Sequence, residues 1–159
     1  MQVLAHRFSR GRSQLVERGY EQLAEYPFSS ELKRMAVIFR RPIPGDTKQG
    51  TPASCVALLK GADERVLDAC VSIRTPGESQ GDRAFEVADH NEIMGHVDRM
   101  AESGLRVLAL AGREWEGDTE NVERAEVERD MVFFGLVGIY DPPRTLIFIA
   151  VALKDQGYL

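Results

Sequence analysis

The alternation of apolar and polar positions along the chain predicts strands and helices in separate groups. Residues 12–26 carry Leu15, Val16, Gly19 and Leu23 at helical spacing, which predicts one or two helices over 1–26, broken near Gly11. Residues 35–41 alternate, with Met35, Val37 and Phe39 on one face, as a strand does. A loop follows over 42–52, crowded with proline and glycine, and 54–60 reads as the returning strand of an antiparallel hairpin. Residues 62–73 place Val66, Leu67, Cys70 and Val71 on one helical face, and 74–81 reads as a polar loop. A longer helix is predicted over 89–103, with Ile93, Met94, Val97, Met100 and Ala101 facing inward. Asp89 stands as its N-cap, and Gly104 where a left-handed residue ends a helix. A buried strand over 106–111, a charged helix over 120–129 and a long strand over 131–140 complete the pattern. Paired strands and grouped helices predict an α+β fold: a mostly antiparallel sheet flanked by helices.

Composition narrows the class. The chain has 159 residues, 43% hydrophobic and 28% charged, which suits a single globular domain with a real core. A formal net charge of -5 and the lack of a basic stripe argue against nucleic acid as a partner. The apolar run at 145–153 is less than half the roughly 20 residues of a membrane helix, so no membrane contact and a cytoplasmic location are expected. Cys55 and Cys70 lie inside apolar runs and read as small buried hydrophobes. With His6, His90 and His96 they form no metal-ligand spacing, so no metal site is expected.

Complete catalytic motifs are missing. Gly45 and Gly50 have the spacing of a phosphate-binding loop, but Thr51 and Pro52 stand where lysine and a hydroxyl residue are needed. Gly45-Asp46-Thr47-Lys48 holds the letters of an aspartyl-phosphate motif in the wrong order. No serine sits in a Gly-x-Ser-x-Gly turn, and the carboxylates over 116–130 are interleaved with arginines as on a solvated surface.

Four segments taken in order carry a resemblance. They are Tyr26-Pro27-Phe28-Ser29-Ser30-Glu31-Leu32-Lys33-Arg34-Met35, Lys60-Gly61-Ala62-Asp63-Glu64, Gly104-Leu105-Arg106-Val107-Leu108-Ala109-Leu110-Ala111, and the run from Gly135 through Asp141-Pro142-Pro143-Arg144. Together they resemble the nucleotide-binding domain of P-type cation-transporting ATPases, most closely the fungal sodium/potassium-exporting branch. The resemblance implies a nucleotide-binding domain over 1–144, a hinge at Asp141, Pro142, Pro143 and Arg144, and an unaligned apolar tail over 145–159.

It also implies ATP as ligand, as Mg-ATP in the full-length pump, and the pump's phosphorylation and membrane domains as partners at the cytosolic face of a membrane, the plasma membrane being expected. Phe28 would stack on adenine, and Lys60, Gly61 and Ala62 would line the adenine pocket, the glycine letting ligand approach the backbone. Lys33 and Arg106 would face the triphosphate, and Leu108 would close the apolar side. Asp63 departs from the family's usual proline. The family's phosphorylated Asp-Lys-Thr-Gly-Thr motif, its magnesium-binding carboxylates and an acidic segment expected before Met1 are not among these residues. A truncated fragment that binds ATP without turnover is therefore expected. The alternative is a relic or interaction protein that keeps the fold without significant ATP binding. The tail, finding no parallel sheet to join, is expected to lie against the domain as a poorly packed helix or strand, or to drive self-association.

Overall fold

A computed structural model describes residues 12–42, 54–75, 81–140 and the strand at 147–151. In chain order the elements are α1 (Arg12–Glu17), β1 (Glu21–Ser29), β2 (Arg34–Arg40), β3 (Cys55–Gly61), α2 (Asp63–Leu67), β4 (Cys70–Arg74), β5 (Asp82–Ala84), α3 (Val87–Glu102), β6 (Arg106–Trp115), α4 (Arg124–Val127), β7 (Met131–Tyr140) and β8 (Ile147–Val151). The strands form one sheet in the order β1-β2-β3-β6-β7-β4-β5, with β8 also on β7. Every pairing is antiparallel except β4 with β7. The fold is α+β with a mostly antiparallel sheet, as the pattern predicted.

One face of this sheet is the core. Ala36 and Ile38 of β2, Ala57 and Leu59 of β3, Ala109 and Ala111 of β6, and Phe133 of β7 are buried there with Val66 and Leu67 of α2 and Ile93, Val97 and Met100 of α3. Small alanines on three adjacent strands let the helices sit close to the sheet, while the larger side chains fill the gaps. The opposite face carries Met35, Val37, Phe39, Val56, Leu58, Lys60, Leu108 and Leu110, all only half-buried. An antiparallel sheet tolerates one open face, and here that face is unusually apolar.

Several predicted elements change type or length. The helix predicted over 12–26 stops at Glu17: Gly19 takes a φ of 87°, and 21–29 becomes edge strand β1. The helix predicted over 62–73 is only α2, because 70–74 leave it to pair with β7 as strand β4, with a register shift between Cys70 and Ser72. Apolar spacing alone does not separate such short runs, and β-branched residues decide in favour of the strand. The loop expected over 74–81 starts one residue too early, since Arg74 ends β4 and pairs with Asp82 of β5 across the hairpin. The strand from Arg106 runs on to Trp115, its charged Arg113 and Glu114 having masked the continuation. The charged helix over 120–129 shrinks to α4, with Asn121 at a φ of 65° before it. The strand over 131–140 and the pairing of β2 with β3 stand as predicted.

The long helix starts two residues early. Glu86 is the N-cap, and Asp89 is the third helical residue, its carboxylate accepting the Glu86 backbone N–H in a capping box. Its far end closes as expected: Gly104 has a φ of 75°, Leu105 N–H bonds to the Met100 carbonyl at 3.0 Å and Gly104 N–H to that of Ala101 at 2.8 Å. Of the tail, 147–151 form β8, a strand that pairs antiparallel with β7, one of the arrangements expected for it. Parallel β4 covers β7 only over Met131–Phe133, and β8 pairs beyond it along 136–140. The helix expected over 1–11, the loop over 43–53 and the hinge at 141–144 lie outside the described residues.

One charged cluster is buried. Glu128 is 2% exposed and takes hydrogen bonds from Arg34 Nε at 2.7 Å and Arg124 Nε at 2.8 Å. Arg124 also donates to the Pro27 and Arg34 carbonyls, at 3.1 and 2.6 Å, and Arg34 to the Arg65 carbonyl at 2.8 Å. Removing the carboxylate leaves two guanidinium groups facing each other over a buried hole. Glu128→Ala is expected to cost about 3–5 kcal/mol in a urea unfolding series; a loss below about 1 kcal/mol would show that water or rearranged arginines replace the carboxylate.

Asp89 generates a pH dependence. A side-chain hydrogen bond from Arg83 lowers its pKa from 3.8, burial opposes this, and the Glu86 N–H assists. Because the folded value is the lower one, this stabilisation is full above the unfolded value near 3.8 and is lost as pH falls through the folded value. The wild-type urea midpoint should therefore fall more steeply than that of Asp89→Asn as pH is lowered below about 4. Parallel pH profiles would show that the Arg83 pair contributes nothing.

Candidate functional site

The open face of the sheet holds a hollow of ≈ 310 Å³ at its centre, on β2, β3, β6 and β7. Met35, Val37, Leu58, Leu110 and Phe134 line it, and Lys60 is the one charged residue among its lining. Cross-strand register builds this surface: Met35 stands opposite Lys60, Lys60 opposite Leu110, and Val37 opposite Leu58. The hollow is thus an apolar surface with one lysine, Lys60, between Met35 and Leu110 in its lining. Such a surface suits a flat, largely apolar ring bearing hydrogen-bond acceptors.

The predicted residues fall around it unevenly. Lys60 is in the hollow. Arg106 and Leu108 alternate with Leu110 along an unbroken stretch of β6, which puts all three on this same face. Arg106 is exposed and Leu108 half-buried. Phe28 sits near the end of edge strand β1, where a register shift between Tyr26 and Ser29 leaves it 61% exposed. It is outside the residues lining the hollow. Lys33 occupies the turn from β1 to β2 with a φ of 53°, its side chain exposed.

That turn is bound to the Lys60 segment through the backbone. Lys33 N–H bonds to the Ser29 carbonyl at 2.7 Å, and the Lys33 carbonyl accepts the Ala62 N–H at 2.9 Å. Gly61 is buried between them. A Cβ there would lie 2.5 Å from the Lys33 carbonyl oxygen and 2.5 Å from Arg34 Cβ. The close approach at Gly61 is therefore made by the chain itself. Ala62 follows as the half-buried residue that leads into α2. Lys33, Lys60, Gly61 and Ala62 form one connected corner, and the Arg34–Glu128–Arg124 cluster braces it.

The sequence reading missed part of the lining. Met35 and Leu110 lay inside quoted motifs, and Val37 was placed with Met35 on one strand face, but none was given a role, and Leu58 and Phe134 were not singled out. The alternation of 35, 37 and 39 was the signal for two of them, since it marked an apolar strand face. Phe134 gave no such signal. Among the described residues no group of three His, Cys, Asp or Glu side chains could hold a metal ion, and no helix is long and apolar enough to cross a membrane. Cys55 and Cys70, expected to be buried, are half-buried; the Cys70 thiol donates to the Val66 carbonyl at 3.1 Å, and burial pushes its pKa up to about 12.

The fold is thus an α+β domain with an apolar, lysine-bearing hollow on one face of its sheet. Residues 1–145 match the P-type ATPase cytoplasmic domain N family, and the chain belongs to that family. It is 35% identical over 147 residues to the sodium/potassium exporting P-type ATPase cta3 of Schizosaccharomyces pombe, covering 91% of this chain and 12% of that protein. It is 37% identical over 138 residues to the calcium-transporting ATPase type 2C member 1 of Pongo abelii, covering 86% of this chain and 12% of that one. The calcium-transporting ATPase 1 of Bacillus cereus is 30% identical over 130 residues, covering 82% and 13%. The chain thus spans about an eighth of the length of these relatives.

The Gly61 corner yields a direct test. Gly61→Ala forces a methyl group against Lys33 O and Arg34, and overpacking of this kind costs about 1–3 kcal/mol. The loss should appear in urea unfolding, with the Lys33 and Ala62 amide resonances among the most shifted. Unchanged stability would mean that the turn at Lys33 relaxes freely and does not fix the corner.

Proposed function

We propose that this chain binds ATP as the nucleotide-binding domain of a P-type cation-transporting ATPase. The observation that carries the reading is Lys60 in the lining of an apolar hollow, on the sheet face opposite the core that the described helices α2 and α3 cover. The volume and lining fit a purine: an apolar surface of this size desolvates the ring, and the ammonium donates hydrogen bonds to it. Arg106 and Leu108 extend the same face, and their order fits a nucleotide laid along β6, with base over Leu108 and phosphates toward the guanidinium. Lys33 adds a second positive charge from the neighbouring corner. The exposed ring of Phe28 supplies a stacking surface for adenine at the open side of the site.

In this reading the domain occupies residues 1–144, and Asp141, Pro142, Pro143 and Arg144 form the hinge to a phosphorylation domain. That domain and the membrane domain of the pump are the partners, on the cytosolic side of the membrane. The domain contributes positioning to phosphoryl transfer. The nucleophilic aspartate and the residues that hold magnesium with the nucleotide belong to other parts of the pump, so this chain binds ATP without turnover.

Isothermal titration of the folded chain with ATP is expected to give a Kd of about 0.1–5 mM, weak because one module supplies all the contacts. Phe28→Ala should weaken it about 10-fold by loss of stacking while leaving the circular dichroism spectrum unchanged. No heat and no chemical-shift change at about 50 mM ATP would leave a fold without the binding and defeat the proposal. Incubation with labelled ATP and magnesium should give no acid-stable phosphoprotein. A hydroxylamine-sensitive band abolished by mutation of a single aspartate would overturn binding without turnover.

A further inference from the structure

Phe134 is out of place for a residue in the middle of a central strand. Its neighbours Phe133 and Gly135 are buried, yet Phe134 is 37% exposed. The pairing of β6 with β7 explains why. Leu110 stands opposite Gly135 and Ala111 opposite Phe133, so Phe134 is the extra residue of a β-bulge. Gly135 beside it has a φ of 150°, a conformation that glycine accepts more readily than other residues. Bulges re-aim side chains, and this one turns an aromatic ring from the ladder into the hollow, where Phe134 joins Lys60, Met35 and Leu110 in the lining.

Two further features hold the ring there. Gly112 on β6 has no side chain, and a Cβ at that position would lie 2.8 Å from Phe134 Cε2, so the ring occupies the space that a larger residue would take. The guanidinium carbon of Arg74 lies 4.6 Å from the ring centroid. Arg74 is itself fixed by two hydrogen bonds to Asp82, from Nε at 2.9 Å and from a terminal nitrogen at 3.1 Å. Three strands, β4, β6 and β7, therefore combine to place one aromatic ring at the wall of the hollow. Nothing in the core requires it, because the core side of β7 is filled by Phe133.

Resting on the ATP reading, we propose that Phe134 is a base-binding residue: an aromatic wall of the hollow against which the adenine ring packs, with Arg74 bracing the ring from outside. The site thereby gains an aromatic contact from the centre of the sheet, in addition to the exposed Phe28 at its edge. The contact is to the base alone. Its removal must therefore weaken adenosine and ATP by the same factor and leave the binding of inorganic triphosphate unchanged.

The test uses the whole chain with ATP, adenosine and inorganic triphosphate titrated by isotope-edited NMR. Phe134→Leu keeps the apolar volume and the fold, and Phe134→Ala removes the wall. Both should weaken ATP and adenosine alike, Phe134→Ala by about 10-fold, with triphosphate binding within twofold of wild type. Nuclear Overhauser contacts between the Phe134 ring and the adenine protons should appear in the wild type. If ATP binds and Phe28→Ala weakens it while both Phe134 variants match wild type, the proposal falls and the ATP reading stands. Equal weakening of all three ligands would show a general disturbance of the sheet and would also overturn it. A wild-type chain that binds none of them defeats both.

Discussion

The Glu128 carboxylate, buried between two arginines, is the constraint on which the site's geometry depends. A buried carboxylate is tolerable only when its charge and lone pairs are satisfied, and here Arg34 and Arg124 do both. The arginines then spend their remaining donors on the Pro27, Arg34 and Arg65 carbonyls. One side chain after α4 thereby fixes the end of β1, the start of β2 and the end of α2. Those are the segments that carry Phe28, Lys33 and the Lys60–Gly61–Ala62 corner. The cluster is not part of the hollow's lining; it holds the chain on which the candidate residues are mounted.

Lys33 shows why such bracing is needed. A non-glycine residue with a φ of 53° carries a steric cost of about 1–2 kcal/mol, and it persists only where surroundings impose it. Both its backbone groups are bonded, to Ser29 and to Ala62, and Gly61 supplies the room. The strain is therefore paired with a close crossing of two chain segments that any larger residue at 61 would prevent. Glycine in the Lys-Gly-Ala motif is explained by this crossing.

The parts of the fold legible in the sequence were those determined locally. The strand over 131–140 is long and almost wholly apolar, and the hairpin of β2 and β3 shows clean alternation. Gly104 marks a helix end that only a left-handed residue could make. The failures at 12–26 and 62–73 share one cause. Both hold a short helix followed immediately by a strand, and apolar residues at i and i+4 satisfy either period when the run is short. Val71 and Ile73 on β4, and Tyr26 on β1 with its hydroxyl bonded to the Val122 carbonyl, owe their burial pattern to partners far along the chain. Around the hollow, Lys60 in its lining and Arg106 and Leu108 on the same face lay in the quoted motifs. Phe134 was not legible, because a bulge is a property of two strands in register and leaves no mark in either one alone.

The two faces of the sheet account for how a domain this small leaves an apolar surface open at all. The core face is assembled from alanines under α2 and α3, so the helices approach closely and a single layer of side chains suffices. Covering the second face would require another layer of helices, for which the chain has no further long amphipathic segment among its described residues. That face must instead balance solubility against its own apolar residues. Lys60 and Arg106 interrupt it with charge, and Phe134 is shielded in part by Arg74. What remains uncovered is a patch about the size of the hollow, and in the proposed reading a nucleotide base that buries it supplies the contact of the missing layer. Folding and the proposed binding are in this sense complementary uses of one sheet: the core face closes on the chain's own helices, and the half-buried face is left to the proposed ligand.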